Sequence, residues 1–331
     1  MTLSRTFQVG ALRCHTLEGG RQRLDGGAMF GVVPYPLWSR RVQHDERRRI
    51  PLALRCLLVE HPDGLVLIDT ALGNKEDLKF LDIYGVENQG LEGATQLEDA
   101  LAAAGFLPRD VRWVINTHLH FDHAGGNTTL DPELQADPRR HVRPSFPNAT
   151  YVVQKGELEF ARRLNERTRA SYLPHNFEPV AAAHRWRLLE GDEEVLPGIS
   201  VRVTPGHVPH HQIVLVRDRG ETAAFVADLI PTTAHLPLPW IMGYDLEPLR
   251  TLESKRGFLA EATREGWRIV FEHDTAVAFG TPAAEGKEVV LRDVVEAPRA
   301  PGPPPPAGTA GAPTGTVGAG TGSPPGGVGS A

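Results

Sequence analysis

Residues 117–126 read Thr117-His118-Leu119-His120-Phe121-Asp122-His123-Ala124-Gly125-Gly126, which places four potential metal ligands within six residues. On extended backbone alternate side chains share a side, so His118 and His120 can face one ion. A turn of helix after them carries Asp122 and His123 towards a second. Imidazole and carboxylate suit zinc, and also manganese or iron. Gly125 and Gly126 let backbone pass close behind. One cluster cannot close two sites, because each ion needs several ligands. Three further candidates end apolar runs: His207 after Pro205-Gly206, Asp228 after Ala223-Ala224-Phe225-Val226-Ala227, and His273 after Ile269-Val270-Phe271-Glu272. His210 and His211 compete with His207, which is preferred because it follows the Pro-Gly turn directly. His211 then becomes a candidate for a place behind the ligands. Asp69 ends another apolar run.

The elements that must position these residues follow from apolar patterning and turn residues. Strands are expected at 7–16, 52–60 and 65–69, the last two forming a hairpin about His61-Pro62-Asp63-Gly64. Residues 21–38 are rich in Gly and Pro and read as turns, and 73–93 as loop or short helices. Helix–strand alternation then begins: helix 96–104, strand 111–116, strand 148–154, helix 156–167, strands 200–204, 212–217 and 223–228, helix 248–263, strand 267–272. After Val295 nothing is periodic. Early strands followed by alternation predict a layered α/β protein.

Composition closes off other classes. With 35 basic and 41 acidic residues the chain carries a net charge of −6, which argues against a protein that grips nucleic-acid backbones. Its 2 cysteines, Cys14 and Cys56, form no spaced motif, so neither a disulfide framework nor a cysteine-built zinc site is expected. No run has the length of a membrane span, and the first residues lack the apolar core of a signal peptide. The expected compartment is the cytoplasm and the expected partner a small molecule, with neither nucleic acid nor membrane. There is no Gly-x-Ser-x-Gly elbow and no Walker loop. Residues 298–331 contain nine Pro, ten Gly and one charge. They are expected to be a disordered tail.

The ordered succession of His118-x-His120-x-Asp122-His123, a Gly-His, a strand-ending Asp and a strand-ending His resembles the metallo-β-lactamase superfamily. The resemblance implies a four-layered αβ/βα sandwich over residues 1–297 and two divalent ions, zinc first, with manganese or iron as alternatives. His118, His120 and His207 would hold one ion, Asp122, His123 and His273 the other, and Asp228 would bridge them. Asp69 would support the histidine loop from behind, as ligand histidines commonly require. Two ions roughly 3.5–4 Å apart share a hydroxide, lower the pKa of water to near 7 and polarise the substrate oxygen, so Asp122 and Asp228 are the candidate catalytic carboxylates.

Within the superfamily the resemblance points to quorum-quenching N-acyl-homoserine lactonases. It extends to Leu24-Asp25-Gly26-Gly27-Ala28-Met29-Phe30-Gly31-Val32-Val33-Pro34, to Ala227-Asp228-Leu229-Ile230-Pro231-Thr232 and to Phe271-Glu272-His273-Asp274. The β-lactamase branch carries Cys where Asp228 stands. The glyoxalase II branch carries a helical C-terminal domain. The diiron oxidoreductases carry Glu where His120 stands. The expected reaction is opening of a lactone or small carboxylic ester by a metal-bridging hydroxide. The alternatives are organophosphate or phosphodiester hydrolysis on the same ion pair, and a mononuclear iron dioxygenase of the same fold. Homoserine lactonases place a lactone-orienting Tyr shortly after the bridging Asp. Here Leu229, Ile230 and Pro231 fill that stretch, and Tyr244 and His235 are the candidate substitutes. Met29, Phe30, Trp240 and Met242 complete the expected apolar lining.

Overall fold

The computed structural model describes residues 3–130, 142–286 and 288–298. The expected tail lies outside them, apart from Pro298. Strands β1 (Ser4–Val9) and β2 (Leu12–Asp25) form an antiparallel hairpin with Val9 opposite Leu12. The sequence pattern predicts a single strand across 7–16. Gly10, at φ +57°, turns the chain there without interrupting the apolar alternation. Two short helices, α1 (Gly26–Phe30) and α2 (Tyr35–Trp38), occupy the stretch read as turns; the Asp25 carboxylate caps the first by accepting from Ala28 N. Strands β3 (Arg49–Glu60) and β4 (Leu65–Ile68) form the expected hairpin.

Helix α3 (Leu78–Tyr84) is capped by Asp77 and ended by left-handed Gly85, and α4 (Gln96–Ala103) follows. Strand β5 (Val111–Ile115) leads to α5 (Phe121–Ala124). Beyond it lie a small β6 (Thr128–Leu130) and β7 (Val142–Pro144) pair, then β8 (Thr150–Gln154) and α6 (Lys155–Ala161). The helix expected over 156–167 stops early, because Asn165 Oδ1 accepts from Arg167 N and Thr168 N and so stabilises a turn in place of helix. Helix α7 (Glu178–Ala182) and strands β9 (Trp186–Leu189), β10 (Glu193–Leu196), β11 (Ile199–Val203), β12 (Gln212–Asp218) and β13 (Glu221–Phe225) come next. Helix α8 (Pro248–Glu265), β14 (Arg268–Val270), β15 (Val277–Glu285) and β16 (Glu288–Glu296) complete the order.

Two seven-stranded sheets result, β1-β2-β3-β4-β5-β8-β9 and β10-β11-β12-β13-β14-β15-β16. Phe7, Leu57, Val66, Ile115 and Val152 from the first meet Val201, Val214, Phe225, Val270 and Phe279 from the second in one buried core. Each such side chain contributes roughly 1.5–3 kcal/mol on leaving water. Leu97 and Leu101 of α4 cover the outer face of the first sheet, and Phe258, Leu259 and Ala262 of α8 that of the second. The chain is a four-layered αβ/βα sandwich. Strands β9, β10, β15 and β16 carry no sequence signal: the first two have four residues each, and β16 interleaves Glu, Arg and Asp with its valines.

Candidate metal centre

Strands β4, β5, β8 and β9 run parallel, as do β13 and β14, so several strand ends share one rim of the sandwich. After β5 the chain bends at Thr117 and reaches His120, whose extended backbone occupies the N-cap position before the single turn of α5. His118 and His123 are fully buried, Asp122 is buried, and His120 is half-buried. Thr70 N, following β4, donates to His123 O at 2.7 Å, so backbone runs directly behind the cluster. A Cβ on Gly125 would lie 2.9 Å from Gly73 N, which gives the two glycines the reason anticipated for them. His207 follows Gly206, whose φ of +143° suits glycine. Asp228 follows β13 through Ala227, held at φ +42°, an unfavourable conformation for alanine that aims the next carboxylate into the rim.

The seven predicted side chains converge. His207 Nε2 lies 3.0 Å from Asp228 Oδ2 and 3.1 Å from His120 Nδ1; His118 Nε2 lies 3.8 Å from the same Asp228 oxygen. On the other side His273 Nε2 is 3.1 Å from Asp228 Oδ1, 3.2 Å from His123 Nε2 and 3.9 Å from Asp122 Oδ2. One ligand atom from each of His118, His120, His207 and Asp228 fits within 4.8 Å, and so does one from each of Asp122, His123 and His273. Tetrahedral zinc at a Zn–N distance near 2.05 Å sets its ligands roughly 3.3 Å apart. The imidazole pairs meet at that spacing, and His118 Nε2 is buried with no hydrogen-bond partner. The donor set therefore fits a pair of divalent ions.

Charge follows geometry. Burial, joined by the neighbouring imidazoles, drives His118 and His120 well below the usual histidine range. Burial also disfavours the His207 cation, but the Asp228 charge and hydrogen bonds to Asp228 and Asp245 push that histidine up to about 10. Asp228, though buried, is held well below the ordinary carboxylate range by His207 and His123.

Four of the seven candidate ligands have anchors of their own. Asp69, fully buried at φ +53°, accepts from Thr117 N at 2.8 Å and Thr117 Oγ1 at 2.6 Å, and lies 3.2 Å from His123 Nδ1. Glu272 Oε2 lies 3.0 Å from the same nitrogen. His207 Nδ1 lies 2.9 Å from Asp245 Oδ1, and His273 Nδ1 2.8 Å from Ala53 O. Gln22 Nε2 donates to Asp122 Oδ2 at 2.5 Å. His211 sits behind, its Nδ1 2.8 Å from Thr204 Oγ1 and its ring centroid 5.3 Å from that of His118. His210 packs on Gly156. Sequence reasoning missed Gln22, Asp245 and Glu272. Of these only Glu272, an acid inside an apolar run, left a signal.

A cavity of about 230 Å³ opens above the cluster, with His120, Asp122, His207, Asp228 and His273 among its walls. Met29, Tyr244 and Met242 line it as expected, together with Leu24, Phe121 and Leu246. Phe30, His235 and Trp240 do not. His235 stacks on Phe30 at 4.6 Å, with its Nε2 2.8 Å from Met29 O, and Trp240 packs edge-on against Phe30 beneath Arg41. These rings pack on one another behind the cavity-lining Met29 and Met242, which removes His235 as a substitute for the lactone-orienting Tyr.

The sequence model of the family described as the metallo-beta-lactamase superfamily matches residues 50–281, a span that holds all seven converging side chains and Asp69. The chain belongs to the metallo-β-lactamase superfamily. Among its curated relatives, an N-acyl homoserine lactonase of Bacillus sp is 33% identical over 174 residues, 50% of this chain and 59% of that protein. The match thus spans little more than half of the Bacillus relative. The N-acyl homoserine lactonase AttM of Rhizobium johnstonii is 27% identical over 233 residues, 66% of this chain and 81% of its own. A probable metal-dependent hydrolase from Staphylococcus aureus superposes with a TM-score of 0.76 at 30% identity, covering 87% of this chain and 100% of that one. AidC, a dizinc quorum-quenching lactonase solved with a product N-hexnoyl-L-homoserine, reaches a TM-score of 0.70 at 20% identity, over 88% of this chain and 98% of its own, and shares the fold. Among the described residues no helix of this superfamily member is long and apolar enough to cross a membrane.

Proposed function

We propose that this protein is a metal-dependent hydrolase that opens lactones of the N-acyl-homoserine type. The observation that carries the reading is the Asp228 carboxylate lying between two histidine sets at the wall of an apolar-lined cavity. His118, His120 and His207 would hold one divalent ion and Asp122, His123 and His273 the other, with Asp228 able to serve both. Zinc is the first choice, manganese or iron the alternatives. Such a pair, when bound, supplies acidified water and polarisation of an ester carbonyl.

The chain supplies the rest. Leu24, Met29, Phe121 and Leu246 present apolar surface to an acyl chain and exclude bulk water from the ester. Asp122, held by Gln22, borders the cavity, and in this reading it would take a proton from the attacking water and return it to the departing ring alkoxide. Tyr244 lines the cavity, and orienting the lactone through its hydroxyl is the role assigned to it in this reading.

Elemental analysis of the purified protein, paired with a pH-indicator assay on lactones and on aryl phosphotriesters, tests this reading. Two zinc-class ions per chain and a higher kcat/KM on lactones are expected, and His120→Ala or Asp122→Ala is expected to abolish hydrolysis in folded protein. Preference for phosphotriesters, or one iron with oxygen consumption, would refute it.

A further inference from the structure

We propose that Asp245 is a positioning residue that ties the wall of the substrate cavity to the metal centre, so that occupancy at His207 and order in loop 241–247 form one equilibrium. The inference rests on the ligand assignment above.

His207 turns Nε2 towards Asp228, at 3.0 Å, and Nδ1 towards Asp245, at 2.9 Å. An imidazole that offers Nε2 to a cation carries its proton on Nδ1, and the acceptor at Nδ1 fixes both tautomer and ring angle. Asp245 is that acceptor, and only 5% of its surface is exposed. Its sequence neighbours Tyr244 and Leu246, with Met242, line the cavity. The loop thus alternates: residues on either side of Asp245 border the substrate space while Asp245 itself grips the ligand. The backbone repeats the tie. Leu246 N donates to His207 O at 3.1 Å and Glu247 N to Gly206 O at 2.8 Å.

The anchors of the other ligands differ. His123 leans on Asp69 and Glu272, and His273 on the Ala53 carbonyl. Neither Asp245 nor any of these three residues lines the cavity itself, but only Asp245 is flanked on both sides by residues that do. Linkage then requires reciprocity: an ion that holds His207 orders the loop, and an ordered loop holds the ion more tightly.

The test uses the metal-loaded full chain, with zinc as the probe, in wild type, Asp245→Ala and Asp245→Asn. Metal content is followed under graded chelator, and hydrogen exchange over 241–247. Asp245→Ala is expected to release one of two ions at a 10–100-fold lower chelator concentration, and to speed exchange at Leu246 and Glu247. Asp245→Asn, which keeps an acceptor oxygen, is expected to recover most of both properties. Wild-type protein stripped of metal is expected to show the same faster exchange. Wild-type chelator resistance in Asp245→Ala, or exchange over 241–247 that ignores metal removal, overturns the coupling. If Asp245→Ala fails to fold, the Asn variant and the stripped wild type decide. A wild type that takes up no divalent ion sinks the metal reading itself, and is seen before any variant is made.

Discussion

Replacing Asp69 by alanine isolates what the buried carboxylate behind the histidine loop contributes. Asp69 accepts two short hydrogen bonds, from Thr117 N and Thr117 Oγ1, where no water reaches. Thr117 N left unpaired costs about 1–3 kcal/mol, and Thr117 Oγ1, which also lies 3.2 Å from His118 Nδ1, adds at most about as much again. Asp69 also stands at φ +53°, where alanine lacks the local hydrogen bonding that lets Asp or Asn visit this region, adding about 1 kcal/mol. Asn in the same place keeps an acceptor for Thr117 N, presents its amide to a hydroxyl that can rotate to accept, and tolerates the backbone. The expectation is that Asp69→Ala falls below Asp69→Asn by at least about 2 kcal/mol. Urea denaturation of the chelator-stripped proteins measures this without metal linkage, at matched m-values. If the two variants agree within about 0.5 kcal/mol, the carboxylate is not what holds Thr117 and the loop beyond it.

Three further outcomes are expected. Gln22→Leu removes the donor on Asp122 Oδ2 and is expected to lower lactone kcat/KM about tenfold with an unchanged melting temperature, measured by initial rates and thermal scans. Gly126→Ala places a methyl against the Thr70 carbonyl, a backbone atom that cannot yield cheaply, and is expected to destabilise by about 1–3 kcal/mol in urea. Burial pushes the Glu157 carboxyl up to about 7, against the bonds it accepts from Leu119 N and Tyr172 Oη. The folded chain therefore keeps a proton that the unfolded chain releases near 4.5, and stability falls by about 3 kcal/mol as pH rises from there to about 7. Glu157→Gln is expected to flatten that slope in denaturation of the metal-free protein at pH 5 and 8. A slope equal to that of wild type would discount Glu157.

The layered fold was legible because strands 111–116 and 212–217 are built on the apolar runs Trp113–Ile115 and Ile213–Val216 and α8 is amphipathic. The histidine loop was legible because its four groups are contiguous, and their spacing carries geometric meaning before any tertiary contact is known. His207 was separable from His210 and His211 through its Pro-Gly turn, and only His207 falls within 4.8 Å of His118, His120 and Asp228. Gln22 and Asp245 were illegible for the opposite reason. They reach their partners across 100 and 38 residues, and nothing local marks a glutamine in a strand or an aspartate in a loop as an anchor. The pocket was half legible. Aromatic residues in turn-rich segments suggest a lining, but whether Phe30 faces ligand or stacks on His235 is decided by packing that no pattern encodes.

Four of the converging side chains follow strand β5 of the first sheet and three follow strands of the second, with residues 190–192, between β9 and β10, linking the two sheets. A chain cut within that connection would yield an N-terminal piece bearing His118 to His123 and a C-terminal piece bearing His207, Asp228 and His273. Neither piece alone assembles the donor set. Metal uptake in a mixture of the two would then act as a stitch across the seam, turning the centre into a gauge of whether the halves have found each other.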